Sequence, residues 1–219
     1  SGSNAVAEGD YSTATGSASG AYGQGASAFG SGAQAWGQYA TASGYNAVAE
    51  GDSSTAVGGW LYYEDPDTGE VLLDLTTTAF EVGSSAFGAG AQALGAFSTA
   101  SGAGSTAEGV QSSAYGYSSV ALTDGSSALG TFSQATGSFA TAVGYGSEAT
   151  GDYGLAVGGI ADYGDLIIGF PGLILQTTEA SGVASTALGN GAIASGLGAT
   201  ATGTLAEATG VQATALGTL

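Results

Sequence analysis

Ala96-Phe-Ser-Thr-Ala-Ser-Gly102 followed by Ala103-Gly-Ser-Thr-Ala-Glu-Gly109 is the stretch on which the fold turns. Each run of seven ends in glycine, with alanine two residues earlier and a small residue two before that. Read outward, the same frame runs from Gly9 to Gly58, from Gly88 to Gly158 and from Gly182 to Gly217. With the glycine as position 7, the 219 residues hold 26 such units. Position 5 is alanine in all 26, from Ala7 to Ala215. Position 3 is only Ala, Ser, Thr or Gly, and position 7 departs from glycine at Glu81 and Thr123. A period held this strictly marks a repeat architecture.

The unit alternates small and variable residues with period two, which is strand geometry rather than helix geometry. Glycine every seven residues penalises a helix heavily, and collagen needs glycine every third residue. Disorder would accommodate the 42 glycines but would not require an unbroken alanine register. The pattern therefore predicts five-residue strands, each ending at a glycine corner. Positions 3 and 5 point inward, so the interior is a thin stack of Ala and Ser between two closely spaced sheets. Two heptads make one 14-residue coil of a flattened parallel β-solenoid, an all-β fold.

Positions 4 and 6 then face opposite sides in odd and even units, and their chemistry divides accordingly. Even units carry pairs such as Thr13/Thr15, Ser27/Phe29, Thr41/Ser43 and Thr99/Ser101, with no charge anywhere and a Ser/Thr ladder at position 4. Odd units carry Glu8, Glu50, Glu108, Glu148, Glu179 and Glu207, with Gln34, Gln92 and Gln134 beside them. Thirteen coils at the spacing of neighbouring strands, ~4.8 Å, predict a single solenoid domain over 1–219, roughly 60 Å long. Such a rod needs its ends covered. The frame is intact from Gly2 to Gly217, so the expectation is a segment of a longer chain or a subunit whose ends stack.

The chain has no Lys, Arg, His, Cys or Met, and its net charge is −18. No cation is available for an intramolecular salt bridge, and nucleic acid or anionic membranes find no basic patch. Zinc, iron–sulfur and copper sites lack their ligands. No signal peptide or apolar run of spanning length is present, which reads as a mature or excised segment without membrane insertion of its own. A carboxylate-only chain attracts divalent cations or cationic partners, but no residue set predicts a metal site or a cofactor. Acid–base chemistry would fall to carboxylates or tyrosines. Asp10, Asp52, Asp124 and Asp152 share position 1 of even units but lie at least two coils apart, too far for a dyad. They read as polar turn residues, and no catalytic residue is expected.

The period breaks at 59–74 and 159–175, each time after Ala-Val-Gly-Gly, at Ala56–Gly59 and Ala156–Gly159. Both insertions therefore leave from the same edge. The first, from Trp60 to Asp74, predicts a β-hairpin with its turn at Pro66-Asp-Thr-Gly69. Its Asp65-x-Asp67-x-Gly69 spacing resembles part of a calcium loop but lacks the further ligands of an EF-hand. The second predicts a hairpin around Gly169–Gly172 within Leu166–Leu175, apolar on both faces. An exposed strand pair of that kind invites aggregation, so a neighbouring subunit is expected to cover it.

Asn4-Ala-Val-Ala-Glu-Gly9 and Asn46-Ala-Val-Ala-Glu-Gly51 resemble the N-S-V-A-I-G motif of YadA-like head domains. Ser84-Ser-Ala-Phe-Gly88 and Ser126-Ser-Ala-Leu-Gly130 are similar to that family's heptad, and the likeness covers everything outside the two insertions. The resemblance implies a left-handed parallel β-roll with three chains side by side, in the head of a bacterial trimeric autotransporter adhesin. It places such a head outside the cell, anchored in the outer membrane through regions not in this chain, and the family's heads also tolerate hairpin insertions. Glu8 and Glu50 stand where the motif has isoleucine, so charge puts the even face rather than the odd face at the subunit interface.

Candidate interface or ligand contacts are Tyr22 and Trp36 on the odd face and Phe29, Phe87, Tyr115 and Leu129 on the even face. The insertions add Trp60, Tyr62, Ile167, Phe170 and Ile174. Three non-enzymatic readings stand. One is an adhesive homo-oligomeric head, a rigid spacer that meets a host, matrix or cell surface. The second is a filament subunit that stacks end to end. The third is an ice-binding surface on the even-face Thr ladder, which Phe29, Phe87 and Tyr115 interrupt.

Overall fold

Each heptad crosses the body once and then turns, and the turn takes more of the chain than the period alone predicts. The computed structural model describes residues 2–162 and 175–217. Odd units give two-residue strands at positions 4 and 5, such as Thr106–Ala107, and even units give three-residue strands, such as Thr99–Ser101. The expected five-residue strands are therefore too long. Position 2 explains the difference, since it lies in the left-handed region at Tyr11 (φ 60°), Asn46 (55°), Phe97 (56°) and Gln111 (58°). That conformation costs an L-residue about 1–2 kcal/mol, and the corner recovers part of it by packing. Tyr39, Phe97 and Phe139 lay their rings across the bare corners of Gly25, Gly83 and Gly125 one coil earlier.

The chain divides into two compact units, Ser1–Ser118 and Ser119–Leu219. In the first, the odd strands from Val6–Ala7 to Thr106–Ala107 form one parallel sheet and the even strands from Thr13–Thr15 to Ser113–Tyr115 form another. The second unit repeats this with Val120–Ala121 to Glu207–Ala208 and Ser127–Leu129 to Thr214–Leu216. Pairing runs one coil to the next, as in Thr99↔Ser113 and Ala100↔Ala114. The register steps over the insertions, with Val48↔Thr78 and Glu148↔Glu179. The fold is the parallel β-solenoid of 14-residue coils that the heptads imply.

Between the sheets of each unit lie the position-5 alanines and the position-3 residues, most of them wholly buried. Among the described residues no fully buried side chain is larger than threonine, and only Thr77 and Thr178 reach that size. The narrow interior leaves little apolar area, so inter-coil hydrogen bonding carries much of the cohesion. It continues through the corners, for example from the Phe97 amide to the Val82 carbonyl (2.9 Å) and from the Gly104 amide to the Ala89 carbonyl (2.9 Å).

The two kinds of corner differ. At the even-unit corner Gly102, φ is +138° and a Cβ would overlap the carbonyl of Gly116. At odd-unit corners such as Gly95 a Cβ would likewise overlap the next coil's backbone, at the Gly109 carbonyl, but the backbone is outside the left-handed region. Both exceptions to the glycine rule, Glu81 and Thr123, sit at odd corners. The position-3 serines record the same parity. In odd units Ser19, Ser105, Ser133 and Ser147 donate to the corner carbonyl three residues back. In even units Ser54, Ser98, Ser112 and Ser185 have buried hydroxyls with no protein partner. Ser84 and Ser126, also in even units, do find one, at the carbonyls of Glu81 (2.7 Å) and Thr123 (2.6 Å).

The first insertion is the expected hairpin. Leu61–Glu64 pairs antiparallel with Val71–Leu75, with a bulge between Val71 and Leu73. Its loop is closed by the Asp65 carboxylate, which accepts from the amides of Asp67 (2.8 Å) and Thr68 (3.2 Å). These two hydrogen bonds, Asp67 first, hold the Asp65 carboxyl below its ordinary 3.8. The second insertion begins in the same way, with Ala161↔Gln176 and Asp162↔Leu175. Ile167, Phe170 and Ile174 lie outside the described residues.

Candidate functional site: two faces and a hairpin

On the odd face of the first unit, the position-6 side chains fall into one column: Glu8, Tyr22, Trp36, Glu50, Phe80, Leu94 and Glu108. Their backbone amides hold the register, Trp36 donating to Ala49 (2.8 Å) and Phe80 to Ala93 (2.9 Å). Gly20 makes room for the Tyr22 ring, which folds back along its own strand over the position a Cβ would take. Trp36 stacks on that ring with centroids 4.1 Å apart and planes 18° apart. The indole N–H donates to Gln34 Oε1 (3.1 Å), which fixes the indole orientation. Two coils further on, Phe80, Glu81, Leu94 and Glu108 line a shallow depression of about 510 Å³.

The even face of the first unit presents Thr13, Ser27, Thr41, Thr55, Ser85, Thr99 and Ser113 as one ladder. Beside it run Thr15, Phe29, Ser43, Val57, Phe87, Ser101 and Tyr115. Phe29 and Phe87 are thus two coils removed from touching, and they and Tyr115 stand out from the ladder as separate exposed rings. Leu129 belongs to the second unit, stacked in register with Val143.

Trp60 and Tyr62 gather with Tyr45 at the base of the hairpin. The Trp60 ring lies 6.1 Å from Tyr45 and 4.8 Å from Tyr62, and its N–H donates to Asp74 Oδ1 (2.6 Å). The Tyr62 hydroxyl donates to Glu64 Oε2 (2.8 Å), and this bond raises its pKa above the ordinary 10.0. Leu61 and Leu75 pack on the bare corner of Gly90. Underneath, the buried Thr77 hydroxyl meets the carbonyls of Gly59 (2.8 Å) and Gly88 (2.7 Å). Thr178 repeats this below the second insertion, meeting Gly159 and Gly189 (both 2.8 Å).

Of the position-1 aspartates, Asp52 accepts from the Gln38 amide (2.8 Å) and Asp152 from the Ser138 amide (2.9 Å), one coil earlier in each case. These carboxylates close corners. No group of three His, Cys, Asp or Glu able to hold a metal ion occurs among the described residues. What the arrangement offers is surface: a ring pair, a depression lined by two apolar side chains and two glutamates, and an uncharged ladder. Phe80 and Leu94 were not among the expected contacts. Sorting position 6 by parity would have placed them in the Tyr22–Trp36 column.

The family model described as YadA head domain repeat matches residues 1–19, 21–47, 37–59, 82–105, 107–133, 135–159, 180–206 and 194–219. The matches stop at both insertions. None of the curated proteins matches the chain. Matched over well more than half its length by a repeat whose heptads it folds into coils, the chain belongs to the YadA head domain repeat family.

Proposed function

We propose that the chain works as an adhesive head, a rigid homo-oligomer outside the cell whose exposed surfaces attach it to a host, matrix or neighbouring cell. Membership of the head-repeat family supplies the adhesin-type, surface-exposed module. The observation that carries the oligomer is the absence of charge at positions 4 and 6 of every even strand in a chain of net charge −18 without a single Lys, Arg or His. Copies of such a chain repel one another wherever carboxylates meet. The even face is where they can pack without desolvating a charge, and Phe29, Phe87, Tyr115 and Leu129 give that contact its apolar area. The hairpins and the odd face remain for the ligand.

Light scattering on the purified chain tests the assembly, and retention of chain-coated beads on cell- or matrix-coated surfaces tests attachment. A discrete species of three chains is expected. A monomer at micromolar concentration overturns the packing, and fibres with a regular axial repeat replace it with the filament. Retention no better than that of albumin-coated beads overturns the adhesive role.

A further inference from the structure

We infer that the odd-face column of the first unit is a docking strip for an extended polypeptide segment that carries basic side chains about 14 Å apart with apolar side chains between them. The inference rests on the adhesive reading and names the ligand class that the head takes.

The column has an internal order. Glu8, Glu50 and Glu108 recur every third coil, with the Tyr22–Trp36 pair in the first interval and Phe80–Leu94 in the second. At the spacing of neighbouring strands, three coils span about 14 Å. All three carboxylates are exposed, and so are Trp36 (48%) and Phe80 (47%). Each interval is therefore an apolar bay closed at both ends by a negative charge, and the second also carries the exposed Glu81 beside Phe80, one position off the column. The same column in the second unit reads Leu122, Thr136, Thr150, Ser181, Ser195 and Thr209, with neither a ring nor a carboxylate. The pattern is thus a property of one unit and not of the repeat.

Charge decides what can cover it. These 219 residues contain no Lys, Arg or His, so a second copy would set carboxylate against carboxylate. A cationic partner is complementary. Exposed ion pairs add little affinity but fix register and exclude wrong partners, while desolvated aromatic anchors supply most of the binding energy. The bays therefore bind and the glutamates set the frame. An extended chain rises about 3.4 Å per residue, so side chains four residues apart on one edge match the glutamate spacing. A cationic polysaccharide has charge but no apolar side chains for the bays.

The test uses the full chain and a fluorescein-labelled synthetic peptide with lysine at every fourth residue and leucine or valine between, read by anisotropy. A peptide of the same composition with its lysines contiguous is the control. The spaced peptide is expected to bind at least about tenfold more tightly, a difference of ~1.4 kcal/mol. Trp36→Ala and Glu50→Gln are each expected to weaken it several-fold, with Glu207→Gln on the other unit neutral. Trp36→Phe, which keeps a ring, checks that any loss comes from the bay and not from misfolding. Equal affinity for the two peptides, or no loss with Trp36→Ala, overturns the strip. So does equal competition by chitosan oligosaccharide, which points to bulk charge alone. Bead retention combined with any of these results leaves the adhesive reading standing and removes only this ligand class. Loss of bead retention removes the adhesive reading itself.

Discussion

Hydroxyls at position 3 show how far single atoms in this interior depend on parity. Ser105 donates to the Gly102 carbonyl at 2.9 Å, whereas the Ser98 hydroxyl is buried with no protein partner. Burying an unsatisfied hydroxyl costs about 1–3 kcal/mol, and losing a satisfied one costs about 1. Ser98→Ala is therefore expected to leave stability unchanged or to raise it by up to ~1 kcal/mol, and Ser105→Ala to lower it by ~1 kcal/mol. Urea denaturation of the two variants decides, and equal losses would refute the parity argument. The glycines make the companion case. A Cβ would overlap the next coil's backbone at both corners, the Gly116 carbonyl from Gly102 and the Gly109 carbonyl from Gly95. Only Gly102→Ala also forces a side chain into φ +138°, and it should destabilise by about 1–3 kcal/mol more than Gly95→Ala. The same denaturation curves measure this. None of it was visible in composition, because serine and glycine occupy odd and even units alike.

At the level of the element, the heptads announced which residues pair and face inward, because alternation with period two survives in the sequence as alternation of size. Strand length was not legible. Tyr39 and Phe97 have no intrinsic preference for a left-handed corner. The hydrogen bonds of their amides to the previous coil, at Gln24 and Val82, together with their rings' packing on Gly25 and Gly83, hold them there. The hairpin at 59–74 was readable from its turn residues, but its anchor was not. Threonine appears at position 3 only at Thr77 and Thr178, directly after the two insertions, and that was the available signal. Thr77→Ala should remove the donor from the Gly59 and Gly88 carbonyls at a cost of about 1–3 kcal/mol, and Thr77→Ser should recover most of it. Hydrogen exchange at the amides of Tyr62 to Leu75 reads the change, and unaltered protection with Thr77→Ala would refute the anchor. The site was half legible. Tyr22, Trp36, Trp60 and Tyr62 stood out as large residues in a small-residue sequence, whereas the Phe80–Leu94 bay needed the frame carried correctly across an insertion.

The whole molecule is built from pairs of heptads, so its tolerance to length change comes in steps of fourteen. Deleting 131–144 removes one odd and one even unit and reconnects Gly130 to Tyr145 in frame. Deleting 131–137 removes one unit and exchanges the faces of everything that follows. The first variant is expected to remain soluble with an unchanged β-sheet circular dichroism spectrum. The second should aggregate or lose a cooperative transition on heating, and indistinguishable melting curves would sink the argument. Repeat proteins absorb such edits because each coil answers only to its neighbours. The buried threonines carry this further. Gly59 and Gly159 leave the roll with their carbonyls held from beneath, and the chain re-enters at the residue that holds them. Departure and return are thus fixed before the excursion begins, whatever its content. Each such corner is a socket: a foreign loop or epitope spliced between Gly59 and Thr77 inherits a fixed seat on a stiff support, and the coils on either side need not change to receive it.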